Sequence, residues 1–192
     1  MAATLRDGLP LLTIDMDGVI CQPPFNRNLG IHRAFLDPAA PPVPAQVPAR
    51  WLKRIVDPLR FELRRPLPGA REALADLRAL RTLVLLTGRR SMPGHWLRRH
   101  GFAPLLDDVV INETSLRSPH FKLEAIADLG AIEHIDDDGR TVQLLAQRSG
   151  AQPYLRDWPR NRGLPYDDRV RRVADLGALA ALLRDEGEPR QP

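Results

Sequence analysis

The sequence predicts an open α/β fold in three layers, a Rossmann-like parallel sheet with helices on both faces. Two observations carry this. Short runs rich in Val, Ile and Leu alternate with helix-period segments, and most of the runs close on polar residues. Buried parallel strands read as continuous apolar runs, and strand-then-helix repetition builds parallel sheets through right-handed crossovers. In such sheets ligands sit beyond the carboxyl ends of the strands. The polar residues that close each run are therefore the candidates for chemistry.

The strand candidates follow in order. Leu11-Leu12-Thr13-Ile14 leads into Asp15, and Thr82-Leu83-Val84-Leu85-Leu86 leads into Thr87. Asp108-Val109-Val110-Ile111 leads into Asn112, Ala131 to Ile135 into Asp136, and Gln152 to Leu155 into Arg156. Pro153 weakens the last of these, since proline cannot donate to a ladder. Glu133 and His134 interrupt the fourth, which points to a place near the sheet edge. Between them lie the helices. Pro68-Gly69-Ala70 opens one that runs to Leu80, with Leu74, Leu77 and Leu80 at helical spacing. Ser91-Met92-Pro93 reads as an N-cap with an early proline, and Gly101 as the stop. Ser118-Pro119 opens a helix to Gly130, Gly139 to Arg148 is another, and Ala174 to Arg184 carries Leu176, Leu179, Leu182 and Leu183 on one face.

Residues 19–67 break this rhythm. Pro23-Pro24, Pro38, Pro41-Pro42, Pro44 and Pro48 exclude a long regular element. Arg50 to Leu63 then has the pattern of a short basic amphipathic helix, interrupted near Pro58. The segment reads as a small cap or lid inserted in one domain spanning 1–192. The sequence contains no internal repeat.

Bulk properties set outer limits. The 192 residues are 43% apolar and 27% charged, ordinary for a globular chain and sufficient for a core. The formal charge of +4 suits an anionic ligand. It also follows from a bias of the whole chain, because Lys53 and Lys122 are the only lysines and every other basic side chain is Arg. Cys21 is the only cysteine, so no intrachain disulfide forms, which suits a reducing compartment. The first residues lack a basic head followed by a long apolar run, and no stretch approaches the ~20 apolar residues of a membrane span. The expectation is a cytoplasmic protein with no transmembrane segment.

Four short motifs carry the chemistry. In Asp15-Met16-Asp17-Gly18, residues i and i+2 of a strand end point to one side, so two carboxylates converge and Gly18 lets the chain turn away. Close carboxylates invite a hard cation; a plain Asp-Gly turn uses the same residues. In Thr87-Gly88-Arg89, a hydroxyl and the backbone N–H groups exposed at Gly88 suit a phosphate oxygen, as they also suit a simple strand-to-helix loop. Lys122, early in its helix, offers a compact positive charge for phosphate or carboxylate, or is a surface lysine. Asp136-Asp137-Asp138-Gly139 is either a cation site or an acidic turn before a helix N-terminus.

In this order, TIDMDGV, LLTGR, the Lys of PHFKLE and HIDDD resemble the four motifs of the haloacid dehalogenase-like (HAD) superfamily, over about Leu11 to Asp138. The resemblance implies a Mg²⁺-dependent phosphomonoester hydrolase that forms an aspartyl-phosphate. Asp15 matches the nucleophile and Asp17 the general acid and base. Thr87, with Gly88, matches the phosphate-binding position, and Lys122 the charge-balancing lysine. Asp136 matches the acid that completes the metal site with Asp15 and the backbone carbonyl of Asp17; Asp137 is the alternative ligand. Carbon–halogen-cleaving members lack an acid at the position of Asp17, so its presence favours phosphate chemistry.

The implied substrate is a small phosphate ester. Phe25, Asn26, Arg27, Asn28, His32, Arg33 and Trp51 in the insertion suit stacking on and hydrogen bonding to a base, or pack the loop on itself. The loop after the second strand offers Arg89, Arg90, His95 and Trp96; Arg89 is the one expected to reach a phosphate, while Trp96, with Leu97, reads as core. TIDMDGVI, HIDDD and the polar loop Asp157-Trp158-Pro159-Arg160-Asn161-Arg162 loosely resemble the family's 5′-deoxynucleotidases, which points to a (deoxy)nucleotide. Two rivals remain: a nucleic-acid 3′-end phosphatase, favoured by basic charge and an open site, and a non-catalytic phosphate- or anionic-lipid-binding module using Trp51-Leu52-Lys53-Arg54-Ile55-Val56.

Overall fold

The structure, a computed structural model, describes residues 6, 8–22 and 63–187. Among them six strands form one sheet: β1 (Leu11–Ile14), β2 (Thr82–Thr87), β3 (Asp108–Ile111), β4 (Glu133–Asp136), β5 (Gln152–Arg156) and β6 (Arg171–Val173). Their order is β3-β2-β1-β4-β5-β6 and every pairing is parallel. The helices are α1 (Ala70–Leu80), α2 (Gly94–Arg99), α3 (Ser118–Leu129), α4 (Gly139–Arg148) and α5 (Leu176–Gly187). The predicted three-layer α/β architecture is the one observed.

Strand alternation divides the core into two. Leu12, Ile14, Leu83, Leu85 and Ile135 pack with α1 and α5, while Leu11, Val84 and Leu86 pack with Phe121, Ala125 and Ile126 of α3 and Leu145 of α4. Trp96 and Leu97 join the first core, where Trp96 stacks on Phe102 with ring centroids 5.2 Å apart. This parity has a consequence at the strand ends. Thr13 and Asp15 follow Leu11 onto the face covered by α3, and in β4 His134 and Asp136 point the same way.

Two expectations need correction. β4 lies between β1 and β5, not near the edge. Its polar residues are buried because each has a partner: Glu133 forms a two-pronged ion pair with Arg81 (Nε–Oε2 2.6 Å, Nη2–Oε1 3.0 Å), and His134 is hydrogen-bonded on both ring nitrogens. The second correction is β6, a three-residue strand absent from the sequence reading. It makes β5 an interior strand despite Pro153. Gln152 N–H donates toward β4 (to Ile132 O, 2.8 Å), so residue 153 faces β6, whose register begins only at Tyr154. The missing proline N–H therefore faces a position that β6 does not reach.

Of the segment 19–67, residues 19–22 and 63–67 are described. Its two ends lie side by side: Cys21 and Pro66 form an antiparallel bridge, Gln22 N–H donates to Arg65 O (2.9 Å) and Leu67 N–H to Ile20 O (3.0 Å). Phe25, Asn26, Arg27, Asn28, His32, Arg33, Trp51 and the helix expected up to Leu63 lie outside the described residues, apart from exposed Leu63 itself.

Candidate active site

Asp15 leaves β1 at the carboxyl edge of the sheet, its N–H donating to Ile135 O at 3.0 Å. Lys122, one turn into α3, is on the same face and fully buried. Its Nζ donates to Asp15 Oδ1 at 2.6 Å and to Asp136 Oδ2 at 2.7 Å. The lysine that stands out in sequence is thus no surface residue. Burial opposes its charge, but Asp136 and Asp15 together push its pKa above the usual lysine range. The two acids behave differently. Burial pushes Asp15 up to about 6 against the pull of Lys122. Burial acts the same way on Asp136, yet Lys122 and His134 hold its carboxyl below the usual range. Asp136 takes two donors of fixed direction, Lys122 Nζ and the Asp138 N–H, which reaches its Oδ1 at 2.9 Å, and His134 Nε2 lies 3.3 Å from its Oδ2.

Beyond Asp15 the chain turns sharply. Ile20 and Cys21 N–H both donate to Met16 O at 3.1 Å, and Gly18 N–H donates to Cys21 O at 2.8 Å. Gly18 has a φ of +84°, and a Cβ there would lie 1.5 Å from Asp137 Oδ2, so two physical demands select glycine. Asp17 projects beside this turn with its side chain 28% exposed, the most open of the motif acids. Arg89 grips it with two hydrogen bonds (Nε–Oδ2 3.0 Å, Nη2–Oδ1 2.6 Å), and Arg64 adds a third through Nη1. Arg89 therefore meets Asp17, whereas the sequence suggests a place for it on the substrate. Arg64 escaped sequence reading: it is one arginine among many, and only the pairing of the insertion's two ends brings it here.

Thr87 closes β2 and is buried; its Oγ1 accepts from Arg89 N–H at 3.3 Å. Gly88 has a steric reason of its own, because a Cβ there would stand 2.4 Å from Ser118 Oγ. Its absence lets the β2 loop close against the start of α3, which carries Lys122.

The acidic turn divides its labour. Asp138 caps α4, accepting from Arg140 N–H at 3.0 Å, so the capping reading holds for that residue. Asp136 and Asp137 instead join Asp15, with one carboxylate oxygen from each lying within 4.8 Å of the others and all three residues buried. Three buried carboxylates, two of them bonded to the Lys122 ammonium, form an all-oxygen donor set, the chemistry that suits Mg²⁺.

The loop after β5 braces this arrangement. Arg156 Nη1 and Trp158 Nε1 each donate to Gly18 O at 3.0 Å, and the Arg156 guanidinium lies 4.0 Å over the Trp158 ring. Fully buried Asn161 donates to Asp137 O (3.3 Å) and Arg156 O (2.8 Å). In the sequence this loop stands out only by its loose resemblance to the 5′-deoxynucleotidases; in the structure Arg156, Trp158 and Asn161 bond to the backbone of the Asp17–Gly18 turn, of the acidic turn and of the loop itself.

No protein-family model matches the chain, and no curated protein does. Solved structures do. The D,D-heptose 1,7-bisphosphate phosphatase of B. bronchiseptica, described as complexed with magnesium and phosphate, is 19% identical over 93% of this chain and 100% of its own, with a TM-score of 0.58. A HAD-superfamily hydrolase of subfamily IA from Geobacter sulfurreducens is 18% identical over 91% and 100%, with a TM-score of 0.59. The L-2-haloacid dehalogenase of Xanthobacter autotrophicus, with chloropropionic acid covalently bound, is 13% identical over 92% and 98%, with a TM-score of 0.62. The chain has the fold of the HAD-superfamily hydrolases, a group that contains both phosphatases and dehalogenases. Among the described residues no helix is long and apolar enough to cross a membrane.

Proposed function

We propose that this chain is a Mg²⁺-dependent phosphomonoester hydrolase working through an aspartyl-phosphate on Asp15. The observation that carries the reading is the buried Asp15–Lys122–Asp136 cluster at the carboxyl edge of the sheet, with the open acid Asp17 two residues from Asp15. Asp15, Asp136 and the Asp17 carbonyl would hold the ion, with Asp137 beside them. Once held, Mg²⁺ supplies positive charge to the phosphoryl oxygens and lessens their repulsion of an attacking carboxylate. Lys122 adds to that charge from the α3 side and keeps Asp15 and Asp136 oriented.

The residues then divide the reaction. An Asp15 carboxylate oxygen attacks phosphorus as the bond to the leaving oxygen breaks, and Asp17, once it has taken up a proton and left the Arg64 and Arg89 guanidiniums that hold it as a carboxylate, gives that oxygen its proton. Asp17, now a carboxylate, removes a proton from water; the water oxygen attacks phosphorus and Asp15 is released with inorganic phosphate. Thr87 and the Gly88 backbone would hold a phosphoryl oxygen. Asp17 also separates this reading from carbon–halogen cleavage, which has no leaving oxygen to protonate.

A (deoxy)nucleotide is the proposed substrate, supported by the likeness of the TIDMDGVI, HIDDD and Asp157–Arg162 segments to the 5′-deoxynucleotidases. The test is phosphate release from deoxynucleotides, sugar phosphates and 3′-phosphorylated oligonucleotides, with Mg²⁺ or chelator. Turnover is expected only with Mg²⁺, and Asp15→Asn abolishes it while circular dichroism stays native. Turnover by Asp15→Asn at the wild-type rate refutes the mechanism.

A further inference from the structure

His134 is fully buried in the central strand β4, on the face that carries Asp136. Among the described residues it is the one ring within the cluster, and the reaction above gives it no role. Its Nε2 lies 3.3 Å from Asp136 Oδ2, the oxygen that Lys122 also contacts, and its Nδ1 lies 2.8 Å from Thr13 Oγ1. Thr13 is its register partner on β1 and also reaches Glu133 O at 3.1 Å.

Proton counting sets the direction of these bonds. A threonine hydroxyl has one proton and an imidazole ring nitrogen has either a proton or a lone pair. If only Nδ1 carried the proton, the bare Nε2 lone pair would face an anionic carboxylate oxygen inside the core, with no water to relieve the repulsion. With a proton on Nε2, the ring donates to Asp136; the single Thr13 hydroxyl proton then goes either to Nδ1 or to Glu133 O, and in the second case Nδ1 carries a proton as well and donates to Thr13. We propose that His134, seated on Thr13, is a positioning residue that holds the Asp136 carboxylate by Nε2–H donation and so presets it for a divalent cation. This rests on the reading of Asp136 as a ligand of Mg²⁺. An N–H donor behind a ligating carboxylate fixes its rotamer before the ion arrives, and loss of such a partner typically weakens metal binding ~10–100-fold.

The test uses the full-length chain. Calorimetric titration with Mg²⁺ compares wild type, His134→Leu, His134→Gln and Thr13→Val, with the melting temperature of each metal-free variant as a fold check. His134→Leu is expected to weaken Mg²⁺ binding ~10–100-fold, and His134→Gln, which keeps an N–H donor, to recover most of it. Thr13→Val, which keeps the volume, falls between. A melting temperature that drops while Mg²⁺ affinity stays at the wild-type value overturns the proposal, because that is a structural role alone. Nitrogen-15 NMR of the imidazole is independent of the ion: a proton on Nε2 is expected, and a ring protonated only at Nδ1 overturns the proposal. Should wild type bind no Mg²⁺ and release no phosphate, the hydrolase reading fails, while the NMR result still decides whether His134 donates to Asp136.

Discussion

Replacing Lys122 with Met removes an ammonium and keeps most of the volume. Lys122 is only 2% exposed and bridges Asp15 and Asp136 at 2.6 and 2.7 Å. Removing one partner of a buried pair costs about 3–5 kcal/mol, because the charge left behind has lost its counter-ion. Without the ammonium, both carboxyl pKa values rise, because its opposite charge is what favours their ionised forms. The sign then sets a pH dependence. A carboxyl whose folded pKa is raised lends no penalty below its unfolded value of 3.8, and loses stability as pH climbs through the folded value. Urea denaturation of metal-free wild type and Lys122→Met at pH 8 should therefore differ by about 3–5 kcal/mol. Near pH 4.5 the gap should shrink toward the <1.5 kcal/mol of a volume-conserving swap. A loss equal at both pH values would refute the electrostatic account, and no loss at all would refute the buried bridge.

Gly18→Ala forces a side chain into a left-handed backbone position and against Asp137; a strain of about 1–3 kcal/mol and at least ~10-fold slower phosphate release should be found by thermal melting and steady-state kinetics. Asn161→Ala strips the hydrogen bonds to Asp137 O and Arg156 O, and should cost roughly 1–3 kcal/mol in denaturation, whereas Asn161→Asp keeps the acceptor for Trp158 N–H and should show how much of the loss comes from the donated bonds alone. Because burial holds Asp15 at about 6 in the metal-free chain, that group's stabilising contribution is present below 3.8 and is lost as pH rises through about 6. Mg²⁺ should accordingly raise the melting temperature more at pH 7.5 than at pH 5, and calorimetry in two buffers should find proton release on Mg²⁺ binding only at the lower pH.

The parts of the molecule legible in the sequence are those where local pattern and tertiary role coincide. Leu11–Ile14 and Thr82–Leu86 are apolar on both faces because both faces are covered, and the polar residue that ends each run has to lie at the sheet's carboxyl edge. Lys122 was visible because it is one of two lysines in an arginine-rich chain. β6 was invisible for a matching reason: Arg171-Arg172-Val173 has neither length nor alternation, and its place comes from backbone pairing to β5. β4 was misplaced because Glu133 and His134 look like solvent-facing residues until Arg81 and Thr13 are seen opposite them. Arg64 and Asn161 reach Asp17 and Asp137 across 47 and 24 residues, distances over which no local period signals a contact.

The Thr13–His134 contact has a consequence for folding fidelity. Strands such as Leu11–Ile14, oily on both faces, say little about how far one should slide along its neighbour, since a shift of one residue still buries Leu or Ile. A slip of β4 by one position would carry His134 away from Thr13 and swing Asp136 toward the α1 and α5 core, putting Ile135 or Asp137, according to the direction of the slip, in its place. The polar pair between the central strands thus works as a key that only one alignment fits, and the chain can settle its strand register only by assembling its acidic cluster as well.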